Sequence, residues 1–94
     1  MRMIDLELAT GDLNKNLKLY YTTNSIFYPI SKVISISDYF ILQVDPTKNA
    51  LSLSDLLQIS SSENRQKNLF IKTIDGEKHL ILGYRIDQNK LILA

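Results

Sequence analysis

The apolar residues of this chain occur in short runs that alternate with polar residues, and turn-forming pairs separate the runs. Alternation with a period of two is typical of strands that bury one face. Eight segments carry the pattern and are predicted as strands: 17–23, 26–28, 32–36, 38–44, 69–74, 77–82, 84–86 and 90–93. Pro29 removes one ladder donor, which places its strand at a sheet edge or at a bulge.

One segment changes to a helical period. Leu53, Leu56 and Leu57 recur at intervals of three and four, so they lie on one face of a short helix. Ser52 has the side chain that an N-cap requires. The first segment, residues 3–8, is compatible with a strand or with a degenerate helix, and its alternating apolar residues fit a strand better.

The clearest hairpin lies around Asp75-Gly76, a pair typical of the two-residue type I′ turn. That turn fixes the register of the two flanking strands. The predicted opposite pairs are Leu69–Leu82, Phe70–Ile81, Ile71–Leu80 and Lys72–His79.

The two halves of the chain are weakly self-similar at an offset of 51 residues. At this offset the turn Asn24-Ser25 falls on Asp75-Gly76 without any gap over more than forty residues. The coincidence of turns and apolar runs indicates an internal duplication, while a single meander without duplication is the alternative.

With 94 residues the chain is predicted to be a single domain spanning 1–94. The predicted fold class is α+β, predominantly antiparallel β, with seven or eight strands and one short helix. A small all-β barrel is the alternative. If the chain is duplicated, the repeat halves are 1–45 and 46–94, and each would expose an apolar face that the other covers.

The sequence contains no pattern that identifies an enzyme, a metal site or a cofactor site. The chain has one His, no Cys and three Gly residues that lie far apart, so thiolate chemistry and phosphate-binding glycine loops are excluded. We expect His79 to be a surface strand residue, and turn chemistry explains Asp75 and Glu77. The expected protein is therefore not an enzyme and uses no cofactor or metal.

Aromatic residues occur in adjacent pairs in the N-terminal half, and the two members of a pair point to opposite sides of a strand. One member can therefore remain exposed, and exposed tyrosines are frequent anchors of protein interfaces. The expected function is a small binding module for protein–protein interaction or homo-oligomerisation, with an unknown protein or a second copy as partner. The candidate protein-binding residues are Tyr20, Tyr28 and Tyr39.

The alternative function is a single-stranded nucleic-acid-binding domain. Basic residues outnumber acidic ones between residues 65 and 90, and aromatic side chains on an exposed sheet can stack on bases. The candidate nucleic-acid-binding residues are Arg65, Lys67, Lys72, Lys78 and Arg85. A formal net charge of +1, with both signs interspersed, argues against binding by bulk electrostatics alone.

The sequence also gives an expectation about location. Acidic residues interrupt the N-terminal segment and the apolar runs are short, so we expect neither a signal peptide nor a membrane partner. A chain without Cys fits a reducing compartment. We therefore expect a cytoplasmic protein, and its size and composition are typical of small bacterial or phage proteins.

Overall fold

The computed structural model describes all 94 residues of the chain. The elements in chain order are α1 (Met3–Ala9), β1 (Lys18–Thr23), β2 (Ile26–Ser35), β3 (Tyr39–Val44), α2 (Leu53–Leu57), β4 (Asn68–Lys72), β5 (Lys78–Leu80), β6 (Tyr84–Asp87) and β7 (Lys90–Leu93). The prediction of a small β-rich fold is confirmed, with two short helices instead of one.

The strands form one curled sheet in the order β5-β4-β3-β2-β1-β7-β6. The β3–β4 and β1–β7 pairs are parallel, and the other four pairs are antiparallel. The two edge strands, β5 and β6, are separated in the chain by residues 81–83 only, so the sheet must curl until its edges approach each other. The backbone N–H groups of Leu82 and Gly83 donate to the carbonyl of Ala94, at 2.9 and 3.0 Å.

The curl gives the sheet an inner face, which forms the core, and an outer face. The buried inner residues are Leu19, Ile30, Phe40, Leu42, Val44, Leu69, Ile71, Ile81, Leu91 and Leu93. The two helices add Met3, Leu6, Leu53 and Leu56 to the same core. Strand residues that alternate with the inner set point outward, and we call the surface that they form the outer face.

Helix α1 decides between the two alternatives for residues 3–8, which form a helix and not the strand that their alternation favours. The Asp5 carboxylate accepts the backbone N–H of Arg2 at 2.8 Å and pairs with its guanidinium at 3.0 Å, which satisfies one of the free N–H groups at the helix start. Met3 and Leu6 are fully buried, whereas Leu8 is 77% exposed. A strand would place Leu6 and Leu8 on one face, but a helix separates them.

Helix α2 confirms the predicted helix and its cap. The Ser52 hydroxyl accepts the backbone N–H of Asp55 at 3.1 Å, and the Asp55 carboxylate accepts the backbone N–H of Ser52 at 2.9 Å. This reciprocal capping box satisfies two backbone donors. It also orients the helix so that Leu53 and Leu56 enter the core.

The two hairpin turns differ in length. Asn24 and Ser25 both have positive φ, 52° and 63°, which is typical of a two-residue type I′ turn. The second turn instead has a three-residue loop, closed by a bond from the Thr73 N–H to the Glu77 carbonyl at 2.9 Å. Only Gly76 has positive φ in that loop, at 86°, which is typical of a type I turn with a G1 bulge.

The longer loop shifts the predicted register of β4 and β5 by one residue. The observed opposite pairs are Phe70–Leu80, Ile71–His79 and Lys72–Lys78. Since a one-residue shift exchanges the two faces of a strand, Ile81 is buried and Leu80 is exposed. His79 therefore lies on the inner side, and Lys78 lies on the outer face.

Pro29 lies in a central strand, because β2 is flanked by β1 and β3. The expected irregularity is present, since the β2–β3 register shifts between Ile30 and Lys32. The segments 26–28 and 32–36, predicted as separate strands, are joined through this irregularity into β2. Pro29 thus lies in a central strand that carries a bulge one to two residues further on, and not at a sheet edge.

The two halves of the chain make matching backbone hydrogen bonds to each other. Bonds from α1 to the segment before β4 are Met3 N–H to Lys67 O (2.9 Å) and Ile4 N–H to Arg65 O (2.8 Å). Bonds from α2 to the segment before β1 are Leu53 N–H to Leu17 O (2.8 Å) and Ser54 N–H to Lys15 O (2.9 Å). Equivalent residues of the two halves differ by 50 in sequence number before the hairpin turns and by 51 after them. The difference arises because the second hairpin loop is one residue longer than the first.

Four carboxylates have pKa values below the ordinary range. The main cause is a hydrogen bond in each case, and the donors are the Arg2 guanidinium for Asp5, the Thr47 hydroxyl for Asp45, the Ser52 N–H for Asp55 and the Thr73 hydroxyl for Asp75. A lowered pKa in the folded state stabilises the fold above the unfolded pKa. This stabilisation is lost as the pH falls through the folded pKa.

We therefore expect the melting temperature to fall as the pH drops below about 4, the ordinary pKa of Asp. Thermal unfolding between pH 7 and pH 2.5 measures this. Asp55→Asn is expected to flatten the profile, whereas Asp12→Asn is the control, because the Asp12 side chain makes no hydrogen bond. A melting temperature that stays constant down to pH 2.5 would contradict the prediction.

Candidate functional site

The outer face combines aromatic and basic side chains. It carries four aromatic residues, Tyr20, Phe27, Tyr39 and Phe70, and six basic residues, Lys18, Lys32, Lys72, Lys78, Arg85 and Lys90. Asp87 is the one carboxylate at a strand position of this face. The acidic residues elsewhere lie on the helices, in turns or at strand ends, so the small net charge of the chain conceals a basic sheet surface.

The first aromatic cluster lies on β3, β4 and β5, and we call it the β4 cluster. It consists of Tyr39, Phe70 and Lys78. The two rings meet edge to face with centroids 5.2 Å apart. The Lys78 Nζ lies 4.4 Å from the Tyr39 ring centroid and 5.1 Å from that of Phe70, within the range of a cation–π interaction.

The second aromatic cluster lies on β1, β2 and β7, and we call it the β1 cluster. It consists of Tyr20, Phe27 and Lys90. The Lys90 Nζ lies 5.7 Å from the Tyr20 ring centroid and 5.3 Å from that of Phe27. Each cluster therefore places one ammonium group over two aromatic rings.

Each cluster has an isoleucine beneath it on the same face. Ile41 is the strand partner of Phe70, and Ile92 is the strand partner of Tyr20. Ile41 is only 7% exposed and Ile92 only 1% exposed, although neither points into the core cluster. Their neighbours on the outer face therefore cover them, and both clusters rest on an apolar base.

The lysines of the outer face lack acidic partners. The one ion pair on this face joins Arg85 to Asp87 at 3.8 Å, and no lysine of the face has a carboxylate oxygen within 4.0 Å. Lys72 lies directly opposite Lys78 in the antiparallel β4–β5 ladder. Like charges that are directly opposite destabilise a sheet, so the isolated protein holds an unfavourable arrangement of charge.

Lys72→Thr is therefore expected to raise the free energy of unfolding by about 0.2–1 kcal/mol. Urea denaturation in low salt measures the gain. The gain should shrink in 1 M salt, where the Debye length falls to about 3 Å. Lys48→Thr, in the exposed loop after β3, is the control. A gain that is equally large in both salts would contradict the electrostatic explanation.

The structure distributes the candidate protein-binding tyrosines over two surfaces. Tyr20 and Tyr39 lie on the outer face, one in each aromatic cluster. Tyr28 is opposite Tyr21 in the β1–β2 ladder, and both pack against the core from the inner side. The three tyrosines therefore do not form one surface.

The candidate nucleic-acid-binding residues are divided in a similar way. Lys72, Lys78 and Arg85 lie on the outer face. Lys67 lies in the loop before β4, where its Nζ donates to the Ser35 hydroxyl at 3.2 Å and to the Ile36 carbonyl at 2.8 Å. Arg65 is also in that loop, outside the sheet.

Sequence reasoning missed four residues that complete the outer face: Lys18, Lys32, Phe27 and Phe70. A signal was present for Lys18 and Phe70, because each adjoins a buried residue in its strand, whereas the neighbours of Phe27 and Lys32 are half-buried or exposed. Lys90 was counted in the basic stretch but was not chosen as a site residue. Its contact with Tyr20 and Phe27 depends on the parallel β1–β7 pairing, which the local sequence does not specify.

A cleft lies between the two hairpin turns, apart from the outer face. This cleft has a volume of about 350 Å³ and is lined by Tyr21, Thr23, Asn24, Tyr28, Val44, Thr73, Ile74, Asp75, Glu77 and His79. The first hairpin supplies tyrosines, while the second supplies carboxylates and the imidazole. His79 is exposed in β5, in agreement with its predicted surface position, and it lies at the edge of this cleft.

The polar groups that the second hairpin contributes to the cleft bond to each other. The His79 Nε2 lies 3.1 Å from the Glu77 Oε2. The Thr73 hydroxyl donates to the Asp75 carboxylate and holds the pKa of that group below its ordinary value. The hydroxyl of Thr73 is thus bonded to Asp75 and not to His79, so the pattern of a nucleophile activated by an imidazole is not formed here.

No group of three His, Asp or Glu side chains is close enough to hold a metal ion. No helix is long and apolar enough to cross a membrane. Comparisons with protein-family models, with curated proteins and with solved structures found no match.

Proposed function

We propose that this protein is a non-catalytic binding module that holds an anionic partner on the outer face of its sheet. The observation that carries the proposal is that basic and aromatic side chains share one face of the sheet, while nearly all acidic side chains lie elsewhere. Six basic side chains and four aromatic rings share the outer face with one carboxylate. A protein partner and single-stranded nucleic acid are the two classes that the sequence leaves open.

The unpaired lysines support an anionic partner in particular. The five lysines of the outer face have no carboxylate within ion-pair distance, and two of them, Lys72 and Lys78, are directly opposite each other. An anion placed between them would turn repulsion into attraction. A bound anion would therefore gain affinity by relieving the repulsion between these two lysines.

We also propose that the chain is an internal duplication of the α+β class. The matching hydrogen bonds of α1 and α2 support the duplication, and so do the matching aromatic clusters. Both helices contribute buried residues to the core, which supports the α+β class over a wholly β barrel.

Retention on immobilised heparin, a polyanion, tests the binding proposal. Wild-type protein is expected to bind in low salt, and Lys72→Gln/Lys90→Gln is expected to elute at lower salt. The slope of log affinity against log salt should fall by about one for each phosphate-like contact removed.

The matched control is Ser61→Glu/Ser62→Glu, which changes the net charge by the same amount. Both residues are exposed and lie in the loop between α2 and β4. The control is expected to elute close to the wild type. Equal losses in the two double variants would mean that net charge, and not the outer face, determines retention.

A further inference from the structure

We infer that the anionic partner is single-stranded nucleic acid and that each aromatic cluster accepts one unstacked base. This inference rests on the proposed function, because it concerns the same outer face. It adds that the chain has two equivalent sites, the β4 cluster and the β1 cluster, one centred on each half of the chain.

Each cluster offers the two kinds of contact that a nucleotide needs. The rings of Tyr39 and Phe70 are only half-buried, and aromatic rings on a sheet are stacking surfaces for bases. The Lys78 Nζ lies over both rings and 3.3 Å from the Tyr39 hydroxyl. When a base stacks on a ring, this flexible ammonium can move to the neighbouring phosphate.

The β1 cluster offers the same contacts through Tyr20, Phe27 and Lys90. Phe27 is 37% exposed and Tyr20 is half-buried. The Lys90 Nζ stands between 5 and 6 Å from both ring centroids. Lys18 is the strand partner of Lys90 and supplies a second ammonium for the phosphate chain.

The two clusters occupy matching places in the sheet with the residue types exchanged. Tyr20 and Phe70 match on the first strand of each half. Lys78 matches Phe27 on the next strand, and Lys90 matches Tyr39 on the last. The lysine thus comes from different strands, yet each cluster contains two rings and one ammonium group. A shared binding task explains this common composition better than packing does.

The aromatic rings favour a single strand over the other anionic partners. An acidic protein surface would pair with the lysines but would not need rings beside each of them. A duplex offers phosphates, while its bases are stacked inside and cannot reach Tyr39 or Tyr20. Only a single strand presents phosphates and free base faces together.

The test uses the full chain and fluorescein-labelled (dT)12, with anisotropy as the readout. Tyr39→Leu/Lys78→Gln and Tyr20→Leu/Lys90→Gln each remove one cluster and keep apolar bulk at the ring position. Each is expected to weaken binding about tenfold or more, and the combined variant should not bind measurably. Ser62→Glu serves as the charge-matched control, and circular dichroism checks that every variant is folded.

Nuclear magnetic resonance with unlabelled (dT)4 locates the sites. Backbone signals of both clusters should shift in the wild type, and each cluster variant should lose the shifts of its own cluster only. Shifts confined to one cluster would overturn the inference of two sites.

Other probes separate this inference from the proposed function. If heparin and poly-L-glutamate bind through the outer-face lysines but (dT)12 does not, the nucleic-acid inference fails and the proposed function stands. If a 12-base-pair duplex binds as tightly as (dT)12 and the tyrosine changes have no effect, the stacking inference also fails. If none of these probes binds, or a dimer seen by light scattering covers both clusters, both proposals fail.

Discussion

Leu6→Ala is expected to lower the free energy of unfolding by about 2–5 kcal/mol, whereas Leu8→Ala should change it by less than about 0.5 kcal/mol. Both residues are leucines of α1, but Leu6 is fully buried in the core and Leu8 is 77% exposed. Removing the Leu6 side chain leaves a cavity between α1 and the sheet, which adds to the lost burial. Urea denaturation of the two variants measures the difference.

This pair of variants also tests the secondary structure. In a strand, Leu6 and Leu8 would share a face and both substitutions would be costly. Leu56→Ala is the matching change in α2, since Leu56 is equally buried, and its cost should be similar to that of Leu6→Ala. Equal effects of Leu6→Ala and Leu8→Ala would contradict a helical N-terminus.

Elements could be predicted from the sequence where residues within one short segment determine the structure. The turn at Asn24-Ser25, the strand before Asp45 and the capped helix after Ser52 are set by neighbours in sequence. Helix α1 could not be predicted, because the apolar spacing of its seven residues fits either period. Burial of Met3 against the other half of the chain selects the helix.

The register of β4 and β5 shows how a good local signal can mislead. Asp75-Gly76 suits a two-residue turn and also the end of a three-residue loop. The loop length depends on whether Leu80 or Ile81 enters the core. Ile81 is the buried residue in the structure, which corresponds to the three-residue loop. That one-residue difference moves Lys78 to the outer face and His79 to the cleft, so it changes both candidate surfaces.

The outer face could be predicted only in part. Tyr20, Tyr39 and Lys78 were identified as candidates for two competing functions, but their grouping depends on sheet order. The β4 cluster requires the parallel β3–β4 pair, and the β1 cluster requires the parallel β1–β7 pair. No local sequence signal specifies these pairings, because in each pair one strand comes from the first half of the chain and the other from the second half.

The same long-range pairings predict the result of cutting the chain between Lys48 and Asn49, in the exposed loop after β3. Fragments 1–48 and 49–94 are each expected to be unfolded alone. Mixed in equal amounts, they should form a folded one-to-one complex. Circular dichroism measures the recovery of β structure, and light scattering measures the stoichiometry.

The physical reason is that neither fragment can complete its own core. Without its partner, fragment 1–48 loses β4 and β7, which flank its three strands, and the residues before β4 that bind the start of α1. It would expose both edges of a small sheet together with Leu19 and Phe40, which is too much apolar surface for a stable fold of this size. A monomeric fragment with a dispersed proton spectrum would contradict this view, since it would mean that one half carries a sufficient core by itself.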